Sequence, residues 1–237
     1  MGKIGHGYGS EWHLLRYLGY HRSYFSEQIL QLVGGQRLEW LDFNFTKVND
    51  PLRRDRELIG LEFIDNPDVH RQWHAFWPQS GNAQNWDAVG KIRRNGRDEW
   101  LLVEAKAHIH EEKSGGCQTS NPRSKEKIEQ ALVKTMGAFG GSSQPLEHWL
   151  GSYYQYANRL AALHFLMGEC QPTIPAKLLF IFFLGDKHDD QKCPQNRDEW
   201  ESIINEVESC LRIERDFPLY ERVHHLFIHV NPDAKTH

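Results

Sequence analysis

Trp86-Asp87-Ala88-Val89-Gly90-Lys91-Ile92-Arg93-Arg94-Asn95-Gly96-Arg97-Asp98-Glu99-Trp100-Leu101-Leu102-Val103-Glu104-Ala105-Lys106-Ala107-His108 reads as a β-hairpin. Asn95-Gly96 is the pair favoured in a two-residue type I′ turn, where both central residues take positive φ. Counting back from that turn sets Arg94 against Arg97, Ile92 against Glu99, Val89 against Leu102 and Asp87 against Glu104. Residues directly opposed share one face of the sheet, with Cβ atoms about 4.5–5.5 Å apart. Lys106, two residues past Glu104, joins the same face. A bulge at Gly90 would shift the register by one and turn Asp87 to the other face.

Two carboxylates and one ammonium are thus gathered at the end of an otherwise apolar strand. Opposed like charges destabilise a sheet, so the arrangement calls either for a cation between the acids or for a satisfied surface ion triad. The pattern Glu-x-Lys is weak by itself. It recurs in Glu111-Glu112-Lys113, a polar stretch without strand character. Glu104-Ala105-Lys106 differs because Trp100-Leu101-Leu102-Val103 leads into it, with apolar residues on both parities, the mark of a strand covered on both faces.

Asp87, sixteen intervening residues and then Glu104-Ala105-Lys106 resembles the motif of the PD-(D/E)XK nuclease superfamily, the restriction-endonuclease-like fold. Trp86 stands where that motif has proline. The resemblance implies that Asp87, Glu104 and the carbonyl oxygen of Ala105 bind Mg²⁺, with Mn²⁺ as a substitute, and that Lys106 contacts the attacking water or the scissile phosphate. The residue chemistry agrees with it. Mg²⁺ prefers carboxylate, carbonyl and water oxygens and uses few protein ligands alongside phosphate. A neighbouring ammonium steadies charge that develops on phosphorus.

The chain has 237 residues with 39% hydrophobic and 25% charged content, as expected for one globular domain spanning 1–237. No apolar run approaches membrane-spanning length, and the first residues lack the apolar segment of a signal peptide, so a cytoplasmic location is expected. Cys117, Cys170, Cys193 and Cys210 show no C-x-x-C spacing, which points to free thiols. Net charge is −4, which counts mildly against a nucleic-acid binder. Three local basic clusters offset it: Arg53-Arg54-x-Arg56; Lys91, Arg93, Arg94 and Arg97; and Arg123-x-Lys125-x-Lys127. Arg93 and Arg94 are candidates for phosphate contact, although a charged hairpin tip in solvent explains them as well.

Around the hairpin, periodicity predicts a helix over Glu11–Val33 capped by Ser10, bent or split at Gly19. It predicts strands at Leu38–Phe45, Ala176–Leu184 and Val223–Val230. Helices are predicted at Pro67–Trp77, from Ser124 to about Met136, at Pro145–Met167 and at Arg197–Leu211. Glu57–Ile64 is ambiguous between strand and short helix. His224-His225 are expected to flank the last strand. Ser114-Gly115-Gly116 and Gly140-Gly141-Ser142-Ser143 read as mobile loops, able to fold over a substrate beside an active strand or to serve as plain connectors. The order fits a mixed α/β sheet with helices on both faces. It matches the αβββαβ core of the resemblance, with C-terminal additions.

The resemblance also suggests an acid on the first helix, with Glu11 chosen over Glu27. An acid in a first helical turn is equally explained by the macrodipole. A Gln-x-x-x-Tyr motif on the helix after the catalytic strand is incomplete here, because Gln155 is followed four residues later by Arg159. Gln155 or Arg159 could line a pocket with help from Tyr154 or Asn158, and His108 could reach phosphate from the active face. The leading expectation is a Mg²⁺-dependent endonuclease or exonuclease acting on DNA. Alternatives are a silent nucleic-acid-binding or assembly protein on the same fold, and an RNA-directed hydrolase. Cutting both strands would call for two active sites, hence a homodimer. Removing any one of the clustered charges is expected to leave stability similar or higher, through relieved repulsion.

Overall fold

The computed structural model describes residues 7–41, 58–79, 84–141, 146–188 and 190–232. Asn95 at φ 49° and Gly96 at φ 78° form the turn, and it fixes the register as counted. Strand β4 (Ala88–Arg94) pairs with β5 (Arg97–Lys106) from Arg94↔Arg97 through Val89↔Leu102 to Ala88↔Val103, without a bulge. In chain order the other strands are β1 (Arg37–Trp40), β2 (Leu58–Ile59), β3 (Asn85–Trp86), β6 (Ala176–Leu184) and β7 (Val223–His229). The central sheet has five strands in the order β1-β4-β5-β6-β7. Its first three are antiparallel, whereas β6 runs parallel to β5 and β7 parallel to β6. Parallel neighbours need a covered crossover, and β6 is buried at all nine positions.

The helices are α1 (Ser10–Gly19), α2 (Arg22–Val33), α3 (Pro67–Phe76), α4 (Pro122–Ala138), α5 (Glu147–Leu150), α6 (Tyr154–His164) and α7 (Arg197–Leu211). The alternation of side chains along β5 and β6 divides the core in two. Leu102, Leu178, Phe180 and Phe182 face α3 to α7 on one side. Leu101, Val103, Leu179, Ile181 and Phe183 face α1 and α2 on the other. Burying a side chain such as Phe180 or Leu102 contributes about 1.5–3 kcal/mol, so both faces drive the sheet to its place. Among the described residues no helix is long and apolar enough to cross a membrane.

Several sequence expectations need revision. Gly9, and not Ser10, is the N-cap of α1, and Gly19 does end that helix. Asn121 caps α4 ahead of Ser124 by accepting from the Arg123 and Ser124 amides. His224 and His225 lie within β7. The helix expected over Pro145–Met167 is broken: α5 stops at Leu150, α6 starts at Tyr154, and Phe165–Glu169 widens into a π-helical turn. The break has a physical cause. The carbonyls of Leu150 and Ser152 accept from the Cys117 and Ser114 amides, a pairing that a continuous helix would forbid. The Ser114–Gly116 loop, expected to be mobile, is therefore pinned. Of the first strand, only Arg37–Trp40 is seen, and 42–45 lie outside the described residues, as do the Arg53, Arg54 and Arg56 cluster and Ser142-Ser143.

Candidate active site

Asp87, Glu104, Ala105 and Lys106 line one cleft of about 770 Å³. The sequence achieves this in two steps. Continuous apolar burial along Leu101–Val103 drives the strand into the core, and its last turn-free residues carry the charges in with it. Asp87 precedes β4 and is fastened across the hairpin. Its amide donates to the Val103 carbonyl at 3.2 Å, and its Oδ2 accepts from the Ala105 amide at 2.6 Å.

Glu104 and Lys106 are almost fully buried, at 2% and 6% exposure. Lys106 Nζ donates to Glu104 Oε1 at 2.6 Å and to Gln155 Oε1 at 2.9 Å. Arg159 Nε donates to Glu104 Oε2 at 2.7 Å, and its Nη1 donates to Asn158 Oδ1 at 2.7 Å. The Arg159 guanidinium also lies 5.0 Å from the centre of the Trp86 ring, a cation–π distance. Glu104 thus meets a cation on each oxygen. Such charge-assisted hydrogen bonds are what makes a buried carboxylate tolerable.

The charges set one another's protonation. Burial pushes Asp87 up to about 7, and the charge of Glu104 adds to the push. Burial acts upward on Glu104 as well, but Arg159 and Lys106 outweigh it and hold that carboxyl below its usual range. Burial acts downward on Lys106, and Glu104, Glu112 and Asp87 together reverse it, keeping the ammonium charged.

Glu112 belongs to this cluster. It ends a 3₁₀ turn, Ile109–Glu112, directly after β5. It is 3% exposed, and its Oε1 has no hydrogen-bond partner among the described residues. Burial raises it to about 7, with Glu104 and Glu111 adding and Lys106 opposing. In the sequence, Glu111-Glu112-Lys113 reads only as a polar stretch without strand character. The adjoining Glu111 is no surface acid either: its carboxylate takes the Ala107 amide at 2.5 Å and the Ser10 hydroxyl at 3.0 Å, tying α1 to the end of β5.

The remaining candidates divide sharply. Gln155 and Arg159, with Tyr154 and Asn158, line the cleft. Glu11 and Glu27 are exposed, and neither is among the cleft-lining residues; α1 brings Ser10 there instead. His108 turns from the cleft to Glu111, its Nε2 3.2 Å from Oε1. Arg93 pairs with Asp98 at 2.8 Å, and Arg94 is exposed. Both stand at the turn end of β4, roughly 20 Å along the strand from Asp87. Lys91 sits over the Trp100 ring at 4.5 Å. Lys127 donates to the His74 carbonyl. The expectation that removing any clustered charge leaves stability similar or higher is reversed for Glu104, since its loss would strand two buried cations.

Among the described residues, no group of three or more His, Cys, Asp or Glu side chains is arranged to hold a metal ion. The four cysteines are free thiols. No protein-family model, curated protein or solved structure matches the chain.

Proposed function

We propose that this protein is a metal-dependent phosphodiesterase of nucleic acids, DNA first, built on a restriction-endonuclease-like core. The observation that carries the reading is the convergence of Asp87, Glu104 and Lys106, with Gln155 beside them, in one cleft. The order of elements supports it. A helical pair precedes three antiparallel strands, a helical crossover follows, and the next strand runs parallel to β5.

The donor set fits a hard divalent cation. Asp87 and Glu104 offer carboxylate oxygens and Ala105 a backbone carbonyl, the donors a hard cation prefers. These three would hold Mg²⁺ or Mn²⁺, whose charge, when bound, polarises a phosphoryl oxygen and eases loss of a proton from water. The chain itself does the rest. Lys106, held as an ammonium between Glu104 and Gln155, has a third N–H to aim at a water or a phosphate oxygen. Gln155 fixes that ammonium's direction from α6. Fixed donors of this kind are worth about 10²–10³ in rate where charge develops.

Purified protein is expected to degrade plasmid or linear DNA with Mg²⁺ or Mn²⁺ and to stop with EDTA. Asp87→Ala and Lys106→Ala should each lower the rate about a hundredfold or more. Variants that cut as fast as the parent would end the reading. One observation favours a second reading, a silent binding protein: both Glu104 oxygens already meet protein cations. A parent protein that binds DNA and cuts none under any divalent ion would establish it.

A further inference from the structure

The walls of the cleft say what shape of substrate reaches its floor. One wall is the segment Lys113–Thr119. It is stitched to the junction of α5 and α6 by Ser114 N–H donating to the Ser152 carbonyl at 2.8 Å and Cys117 N–H to the Leu150 carbonyl at 2.7 Å. Gly116, at φ +78°, packs so closely that a Cβ there would stand 2.8 Å from the Leu150 carbonyl oxygen. These bonds and the close approach at Gly116 tie the wall to the frame. Trp77, Pro78, Ile128 and Tyr154 also line the cleft, with Trp77 and Ile128 almost wholly buried. Tyr154 is half-buried.

The volume, about 770 Å³, is that of a small-ligand site. Recognition of a duplex spreads over roughly 1,000–2,500 Å² of protein surface and rests on many phosphate contacts. Among the described residues lining the cleft, the cations are Lys106, Lys113 and Arg159. Two of these are held by Glu104, which leaves Lys113 at the rim. Among the described residues the lining of the cleft is therefore poor in free cations for gripping a duplex backbone, and it sets the amides of Gln118, Gln155 and Asn158 beside the Tyr154 ring. Such surfaces suit unstacked bases, which a duplex keeps inside.

We propose that the cleft takes a single nucleic-acid strand, or a splayed strand end, and excludes an intact duplex. This rests on the phosphodiesterase reading above, and binding separates the two. A labelled single-stranded DNA oligonucleotide and its blunt duplex are titrated with the full chain in EDTA and followed by fluorescence anisotropy. The single strand should bind about tenfold more tightly or better, the size expected of one stacked base. Tyr154→Ala should remove most of that preference while its melting temperature stays near the parent's. Equal or tighter duplex binding, no binding of the single strand, or a preference untouched in a folded Tyr154→Ala variant would each overturn the proposal. Hydrolysis is scored separately. Selective single-strand binding without cleavage in Mg²⁺ or Mn²⁺ sinks the catalytic reading and leaves this one standing. Rapid cleavage of covalently closed relaxed duplex does the reverse.

Discussion

The two ends of the β4–β5 hairpin carry similar charges in opposite surroundings. At the turn, Arg94 faces Arg97 and Arg93 pairs with Asp98, all in solvent. At the other end, Glu104 lies between Lys106 and Arg159 with almost no solvent contact. Water screens the first group, so like charges can face one another at little cost. Burial makes each member of the second depend on the others. The same hairpin thus has one end where charge is decoration and one where it is structure, and only burial separates them.

The largest expected effect breaks the buried end. Glu104→Ala strands two cations and should destabilise the fold by about 3–5 kcal/mol, read from chemical denaturation. A loss below about 1 kcal/mol would mean that the cluster is wetter than its burial indicates.

The next sharpens the buried end by pH. In the folded state Glu112 sits at about 7, above its ordinary 4.5. The folded form therefore favours the protonated acid. Its stability advantage is full below about pH 4.5 and fades as pH rises towards 7 and beyond. That shift corresponds to roughly 3 kcal/mol. In metal-free buffer, Glu112→Gln should remove roughly half of the stability loss between pH 5 and pH 8, because Asp87, also pushed up to about 7, titrates in the same window; parallel curves for parent and variant would contradict the assignment.

The turn end should respond weakly. Gly96→Ala forces a side chain into the left-handed region at φ 78° and should cost about 1–2 kcal/mol. Arg93→Ala or Asp98→Ala, each about half exposed, should shift stability by about 0–1 kcal/mol. A double-mutant cycle on that pair exceeding the Glu104 effect would overturn the contrast.

The hairpin was legible because its turn chemistry and its apolar register agree: Asn95-Gly96 sets the pairing, and Leu101–Val103 set the depth. The helix Arg197–Leu211 was legible to the residue for a similar reason, with Asn196 capping an amphipathic run. Glu112 was hidden because its neighbours are charged and nothing local marks it as buried; only the backward turn after β5 buries it. Arg159 did carry a signal. It is a lone cation among Tyr156, Ala157, Leu160 and Ala161, where an apolar helix has no use for charge unless a buried acid waits for it. Glu11 misled because an acid beside a helix start answers equally to the backbone dipole. The broken α5–α6 segment misled because helical periodicity cannot report that two carbonyls are claimed by a distant loop.

The partners that β5 draws from outside the hairpin arrive late. Gln155 lies 49 positions after Lys106, and Arg159 lies 55 after Glu104. A ribosome adding about 5–20 residues each second therefore releases the hairpin seconds before its electrostatic partners. During that interval the acids must stay hydrated, and the strand that carries them cannot seal against its parallel neighbour, which begins later still at Ala176. Assembly of this centre thereby waits until synthesis has passed Arg159 and Ala176, and a chain released before that point would hold the motif without the clamp that lets it be buried.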